Sequence, residues 1–175
     1  MNINLLKYII AFTGVLIVRL IPFRAPNLEP VLAVQMPFSK KYSKIASFLF
    51  GFLSITVYDL FTSGLGVWTI VTAVCYGLLG LWASYFFKNR SGWRNYALYA
   101  VMATILYDCL TGLTVGPIVF GQSFISALLG QIPFTAIHLL GNVSFAIVLS
   151  PIIEMWLQKE SKKVIVSSSK VVLNS

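Results

Sequence analysis

Residues 95–153 read NYALYAVMATILYDCLTGLTVGPIVFGQSFISALLGQIPFTAIHLLGNVSFAIVLSPII, and Asp108 is the only charged residue in this stretch. Residues 45–87 are equally apolar, with Asp59 as the only charge. A helix needs about 20 mostly apolar residues to cross a bilayer, and each stretch is long enough for more than one such helix. The sequence therefore predicts an all-α integral membrane protein.

The composition of the whole chain agrees with this prediction. Of its 175 residues, 58% are hydrophobic and 10% are charged, whereas soluble domains carry roughly 25% charged residues. The mean hydropathy is +0.85. These values exclude a soluble enzyme, a nucleic-acid-binding domain and a disordered chain, and they leave no room for a separate soluble catalytic domain.

Turn residues and charges divide the chain into apolar segments. The second segment is too short for an ordinary span at 1.5 Å per residue, so we expect a short helix that neighbouring helices protect from lipid. The last segment carries a Gly-Gln-Ile-Pro break at 130–133, which predicts a broken helix before the final span. The predicted segments are 5–21, 31–38, 45–61, 67–87, 95–110 and 118–157.

The distribution of basic residues predicts the topology. The net charge is +8, and the Lys and Arg side chains fall between the apolar segments, where cytoplasmic loops of membrane proteins collect them. Six spans place 11 of the 13 basic residues on one side and only Arg19 and Arg24 on the other. A seventh span would move the four lysines of the tail to the outside. We therefore predict a six-span bundle with a short second span and both termini cytoplasmic.

The chain reads as one transmembrane domain, 1–158, followed by a polar cytoplasmic tail, 159–175, that we expect to be poorly ordered. The predicted fourth span carries a stripe of small residues at i, i+4, i+7 and i+11. Such stripes let helices approach closely in lipid, either within one chain or toward another subunit. The stripe comprises Ala73, Gly77, Gly80 and Ser84.

Most ionisable residues in or near the spans fall on the predicted outer side, where they are functional candidates. Asp59 and Asp108 each end a predicted helix, where the helix dipole repels an anion. Arg19 and Arg24 are the partners that we expect for them. Two interpretations stay open: salt bridges that tie loops to helix ends, or a ligand pocket that opens outward.

Aromatic and amide side chains at the same depth favour the pocket, since ligand pockets combine apolar walls with a few convergent polar groups. His138 and Asn142 are four residues apart and so share one helix face. Trp68 is equally typical of the aromatic belt at a membrane interface. The predicted substrate-binding residues are Arg24, Asn27, Glu29, Asp59, Trp68, Tyr107, Asp108, His138 and Asn142.

Enzyme activity has little support in the sequence. Two Tyr-Asp pairs are reminiscent of intramembrane aspartyl proteases, in which two carboxylates share a proton. Those enzymes carry Gly-x-Gly-Asp, however, and here Gly64-Leu65-Gly66 is followed by Val67. No metalloprotease, serine-hydrolase or P-loop motif is present in the sequence. We therefore predict neither catalytic residues, nor a metal site, nor a cofactor.

Residues 5–157 resemble the substrate-binding S component of energy-coupling-factor (ECF) vitamin transporters. The stretches that carry the resemblance are PNLEPVLA at 26–33, Asp59 ahead of GLGVWT at 64–69, YGLLG at 76–80, IPFT at 132–135 and HLLGN at 138–142. The size, the six spans and the inside termini of that family agree with the prediction from the charges.

The resemblance implies a non-enzymatic subunit that captures a vitamin or related micronutrient at the outer face. It implies association with a transmembrane coupling protein and two cytoplasmic ATPases, which supply the energy. It also implies a pocket that is capped by 22–30, 62–68 and 111–120 and lined by the later helices, including the start of the last span. The charge of the ligand stays open, because acidic groups favour a cation or hydrogen-bond donors whereas Arg24 suits an anion. The alternative is a membrane scaffold or assembly protein of the cell-shape type, without a pocket.

Overall fold

The structure, a computed structural model, describes residues 3–23 and 28–173, with side chains described up to residue 159. Over these ranges all regular structure is helical. The elements are α1 (Ile3–Leu20), α2 (Val31–Lys41), α3 (Lys44–Phe61), α4 (Val67–Phe86), α5 (Trp93–Leu110), a π-helical turn (Thr111–Val115), α6 (Gly116–Phe120) and α7 (Phe124–Leu173).

Five helical stretches are long and apolar enough to cross a membrane. They are α1, α3, α4, the continuous run from α5 to α6, and the part of α7 up to Lys159. The chain is therefore a multi-pass membrane protein. Helix α2 has 11 residues, which at 1.5 Å per residue is about half the thickness of the hydrocarbon core.

Helix α2 lies inside the bundle rather than on its surface. Every residue from 31 to 39 is buried, because α3, α4 and α7 all pack against it. Gln35 is fully buried on α2, and its Nε2 donates to the main-chain carbonyls of Ser47 on α3 and Tyr76 on α4, each at 2.9 Å. The short second segment is thus protected by its neighbours, as the sequence predicts.

Small residues let α3 and α4 come close together. A side-chain carbon added at Gly80 would collide with the carbonyl of Ser47 and with Gln35, and one added at Gly77 would collide with the ring of Phe48. Ala73 is also fully buried. The small-residue stripe of α4 therefore serves packing within this chain.

Contacts at one end of the bundle fix the direction of the helices. Near the start of α1, Lys7 donates to the carbonyl of Trp156 on α7 at 2.9 Å. Lys40, near the end of α2, pairs with Glu154 on α7, and Tyr96 at the start of α5 donates to Glu154 at 2.9 Å. We call this the Glu154 end. The opposite end, where Arg19 meets Glu29, is the Glu29 end.

The predicted break at 130–133 is wrong. Pro133 lies inside α7, which runs without interruption from Phe124. The break comes earlier, at Gly121, whose φ of +65° ends α6 in the left-handed conformation that glycine adopts readily. The hydroxyl of Ser123 then accepts from the N–H of Ser126 and caps α7. Proline is tolerated inside membrane helices because neighbouring groups satisfy the freed carbonyl.

The fifth predicted segment also extends further than expected. The helix does not end at Leu110 but continues through the π-helical turn into α6. At the other end of the last segment, α7 has 50 residues and is about 75 Å long. The backbone of 159–173 continues this helix.

Candidate functional site

A buried polar pair joins α5 and α7 toward the Glu29 end. The Nδ1 of His138 lies 2.8 Å from Oδ1 of Asp108, and the two residues are 2% and 1% exposed. Because a carboxylate only accepts, the proton of this hydrogen bond belongs to His138. Asp108 does not lie at the end of a helix as predicted, because the π-helical turn continues the helix beyond it. The main-chain carbonyls near Asp108 are therefore not the free carbonyls of a helix end, which would repel its charge.

A second polar pair lies one helical turn deeper. The Nδ2 of Asn142 donates to Oγ1 of Thr104 at 2.8 Å, and both residues are buried. Thr104 and Asp108 are four residues apart on α5, as are His138 and Asn142 on α7, so both pairs fall on the faces that the two helices turn toward each other. We call these two pairs the α5–α7 ladder.

Three buried atoms of the ladder have no hydrogen-bond partner among the described residues. They are Oδ2 of Asp108, Nε2 of His138 and Oδ1 of Asn142. Buried polar atoms in proteins are nearly always hydrogen-bonded. The two oxygens are able to accept a hydrogen bond from a bound molecule, and Nε2 of His138 is able to accept one in the neutral ring or to donate one in the protonated ring.

Aromatic rings surround His138. The rings of Tyr107 and Phe134 meet the imidazole edge to face, with centroids 5.7 Å and 5.8 Å away. Tyr76 on α4 packs against Tyr107 at 5.1 Å. The ladder is therefore flanked by flat apolar surfaces on the side of α4 and toward the Glu29 end.

Glu29 connects to the same region through Tyr76, whose hydroxyl donates to Oε1 of Glu29 at 3.3 Å. The other carboxylate oxygen of Glu29 lies 3.0 Å from Nε of Arg19. Arg19 also stacks over the ring of Tyr58 at 4.1 Å and donates to the carbonyl of Ser54. Our expectation that Arg19 pairs with an aspartate is therefore wrong, because Glu29 neutralises it.

Asp59 lies apart from the ladder and has local partners. Its Oδ2 accepts from the hydroxyl of Thr69 at 2.7 Å, and its main-chain carbonyl accepts from the N–H of Gly64 at 2.7 Å. These bonds close the turn between α3 and α4. The two Tyr-Asp pairs therefore differ in their surroundings: Asp59 lies at a turn, whereas Asp108 belongs to the ladder.

A cleft of about 330 Å³ opens at the Glu29 end, directly above the ladder. Thr111 follows Asp108 by three residues, and Phe134 precedes His138 by four, so each lies one helical turn nearer the mouth. Trp68 and Phe120 pack together at 6.2 Å on the rim. The cleft is lined by Trp68, Thr111, Phe120, Gln122, Gln131 and Phe134, together with small residues.

Of the nine predicted substrate-binding residues, Tyr107, Asp108, His138 and Asn142 form the buried site, Glu29 joins it through Tyr76, and Trp68 lies at the cleft. Asp59 is outside this group, and Arg24 and Asn27 lie outside the described residues. We did not predict Thr104 or Phe134 as site residues. Their spacing of four residues from Asp108 and His138 is the signal that would have found them.

The site has the chemistry of binding by hydrogen bonds and aromatic contact. Within 3–23 and 28–159, no three His, Cys, Asp or Glu side chains lie close enough together to hold a metal ion. Comparisons with family models, with curated proteins and with solved structures found no match to this chain.

Proposed function

We propose that this chain is the substrate-capture S subunit of an ECF-type ABC importer for a vitamin or related micronutrient. The observation that carries the proposal is the α5–α7 ladder beneath the cleft, with three buried polar atoms unpaired within the described chain. Ionisable groups at membrane depth are costly, so they mark functional sites by default. An aromatic cleft above convergent polar groups is the usual form of a small-molecule site.

The proposed topology has six crossings of the cell membrane, with both termini cytoplasmic and the cleft facing outward. The contacts of Lys7, Lys40 and Tyr96 with α7 support an even number of passes, since they bring the start of α1 and the end of α2 to the same end. In this arrangement α2 is a short crossing, completed by the chain on either side. The basic loops at 40–44 and 88–94 then face the cytoplasm.

The partners in this proposal are a transmembrane coupling subunit and two cytoplasmic ATPases. The sequence holds no nucleotide-binding motif, so the energy for uptake comes from those partners. The chain itself captures the ligand at the outer face and presents it to the complex.

A scaffold or assembly protein of the membrane is the second candidate. It is favoured by an apolar groove of about 440 Å³ between α1 and α7, which includes Gly14, Phe145 and Trp156. A helix of another protein would fit such a groove. In that case the pair Asp108–His138 would only tie α5 to α7.

Mass spectrometry of small molecules released from the gently washed, detergent-purified protein tests the proposal. We expect a stoichiometric vitamin-like compound, lost from Asp108→Asn but retained by Glu154→Gln, whose carboxylate is at the opposite end of the bundle. Protein that is empty and shows no shift in melting temperature with a panel of vitamins and their precursors would refute capture and favour the scaffold.

A further inference from the structure

The free atoms of the ladder define what a ligand must offer at its deep end. Oδ2 of Asp108 is an acceptor, and Oδ1 of Asn142 is an acceptor because the amide nitrogen is used by Thr104. Nε2 of His138 accepts when the ring is neutral and donates when it is protonated, so it matches either kind of ligand group. The two oxygens, Oδ2 of Asp108 and Oδ1 of Asn142, are acceptors that require donors from the ligand.

The charges of the site also favour a hydrogen-bond donor over an anionic group. The pair Arg19–Glu29 is neutral as a unit. Among the described side chains of the site, this leaves the carboxylate of Asp108 with the imidazole of His138 as its one ionisable partner. An isolated buried carboxylate is strongly unfavourable unless a donor or a cation compensates it. An anionic group placed at the same depth would add to the unfavourable charge.

The walls set the shape of the ligand. The rings of Tyr107 and Phe134 each meet the imidazole of His138 edge to face, at 5.7 Å and 5.8 Å. The cleft of about 330 Å³ lies at the small end of the range of about 300–1,000 Å³ for ligand pockets. Phe134 is 39% exposed and lies between the cleft and the imidazole, so the ring must turn aside for a ligand to reach the ladder.

From these observations, and resting on the proposed function, we infer that the ligand has a flat ring head that carries N–H or O–H donors and no anionic group. It enters head first past Phe134 and donates to Asp108 and Asn142, beside the ring of His138. Any acidic group of the ligand stays in the cleft near Gln122 and Gln131.

Three probes of nearly equal shape test this inference: benzamidine, benzamide and benzoate. The amidinium offers the most N–H donors, the amide fewer and the carboxylate none. We expect saturation-transfer NMR titrations of the full chain in a neutral detergent to give affinities in that order. Benzamidine should bind at least about tenfold more tightly than benzoate, as expected for one hydrogen bond to a charged group.

Two variants test whether the preference for benzamidine over benzoate arises at the ladder. Asp108→Asn should reduce the difference between benzamidine and benzoate to less than about threefold, because the amide no longer carries the charge. Glu154→Gln, a matched change on α7 at the opposite end of the bundle, should keep the full difference. If Asp108→Asn does not fold, Asn142→Leu replaces it, since that change removes a second acceptor from the same site.

The outcomes separate the two proposals. Benzoate binding as tightly as benzamidine, or a bound natural compound with an anionic head at the ladder, would overturn the inference and leave capture of a small molecule intact. A preference for benzamidine that persists in both Asp108→Asn and Asn142→Leu would also overturn it. An empty protein that binds none of the probes would overturn the inference together with the proposed function.

Discussion

Arg19 and Glu29 form a buried ion pair, with Nε of the arginine 3.0 Å from Oε2 of the carboxylate and the side chains 8% and 13% exposed. Glu29 lies just before α2, and Arg19 lies in the last turn of α1. The pair therefore holds the entry of the short helix against α1, while the hydroxyl of Tyr76 ties the same carboxylate to α4.

Removing one partner of this pair should be costly. Glu29→Gln leaves the guanidinium of Arg19 uncompensated, and we expect a loss of about 3–5 kcal/mol in unfolding free energy. The double change Arg19→Met with Glu29→Gln should recover much of it, because no lone charge remains. Thermal unfolding in detergent measures both. Equal melting temperatures for the single and double variants would show that the pair contributes no coupling.

The two aspartates should respond differently to neutralisation. Asp108→Asn should weaken binding of the compound recovered by mass spectrometry by about tenfold or more, because it removes a buried charged acceptor. Asp59→Asn should leave that affinity unchanged and lower only the melting temperature.

The effect at Asp59 has its own control. Thr69→Val removes the donor to Asp59, so the two changes should be non-additive in melting temperature. A loss of ligand affinity in Asp59→Asn comparable with that of Asp108→Asn would instead place Asp59 in the binding site.

The bounds of most helices follow from the sequence, because charges and glycines mark them. The prediction of 45–61 compares with Lys44–Phe61 for α3, and 67–87 with Val67–Phe86 for α4. The helix bounds within residues 110–133 do not follow from the sequence, because the Gly and Pro residues there predict breaks in the helix. In lipid the backbone has no water to replace a lost hydrogen bond, so the helix is kept at most of these residues.

The partners of the charged residues could not be predicted from the sequence for a different reason. Tyr58-Asp59 and Tyr107-Asp108 share the same local structure: in each, a threonine hydroxyl four residues after the tyrosine donates to its carbonyl at 2.8 Å. The difference lies in what faces each helix end. Asp108 faces α7, whereas Asp59 borders a turn, and that depends on helix rotation rather than on local sequence.

Alanine at Gly80 should destabilise the bundle strongly. Its side-chain carbon would collide with the main-chain carbonyl of Ser47, so the α3–α4 contact must open, at a cost of about 1–3 kcal/mol or more. Gly14→Ala on α1 is the matched control, since nothing lies within 4 Å of the added carbon.

In the control, melting temperature should stay the same or rise slightly, as alanine favours helix by about 1 kcal/mol. If both variants melted like the parent, the close approach of α3 and α4 would not contribute to stability.

The topology can be tested with a pair of serine-to-cysteine variants in a background without Cys75 and Cys109. Ser63 lies in the exposed turn between α3 and α4, and Ser91 in the exposed turn between α4 and α5. In intact cells, a membrane-impermeant maleimide should label Ser63→Cys and not Ser91→Cys. Labelling at Ser91 alone would reverse the proposed orientation.

The burial of α2 bears on how the chain assembles during synthesis. Ser150 on α7 donates to the carbonyl of Ala33 at 2.7 Å, across a sequence separation of 117 residues. Helix α2 is too short and, with Gln35 at its centre, too polar to enter lipid alone. Its burial can therefore be complete only after the ribosome has delivered α7, although α3 and α4, which hold Gln35, are synthesised earlier. Until then one side of α2 lacks its cover, and a chain truncated before α7 should be a substrate for quality-control proteolysis.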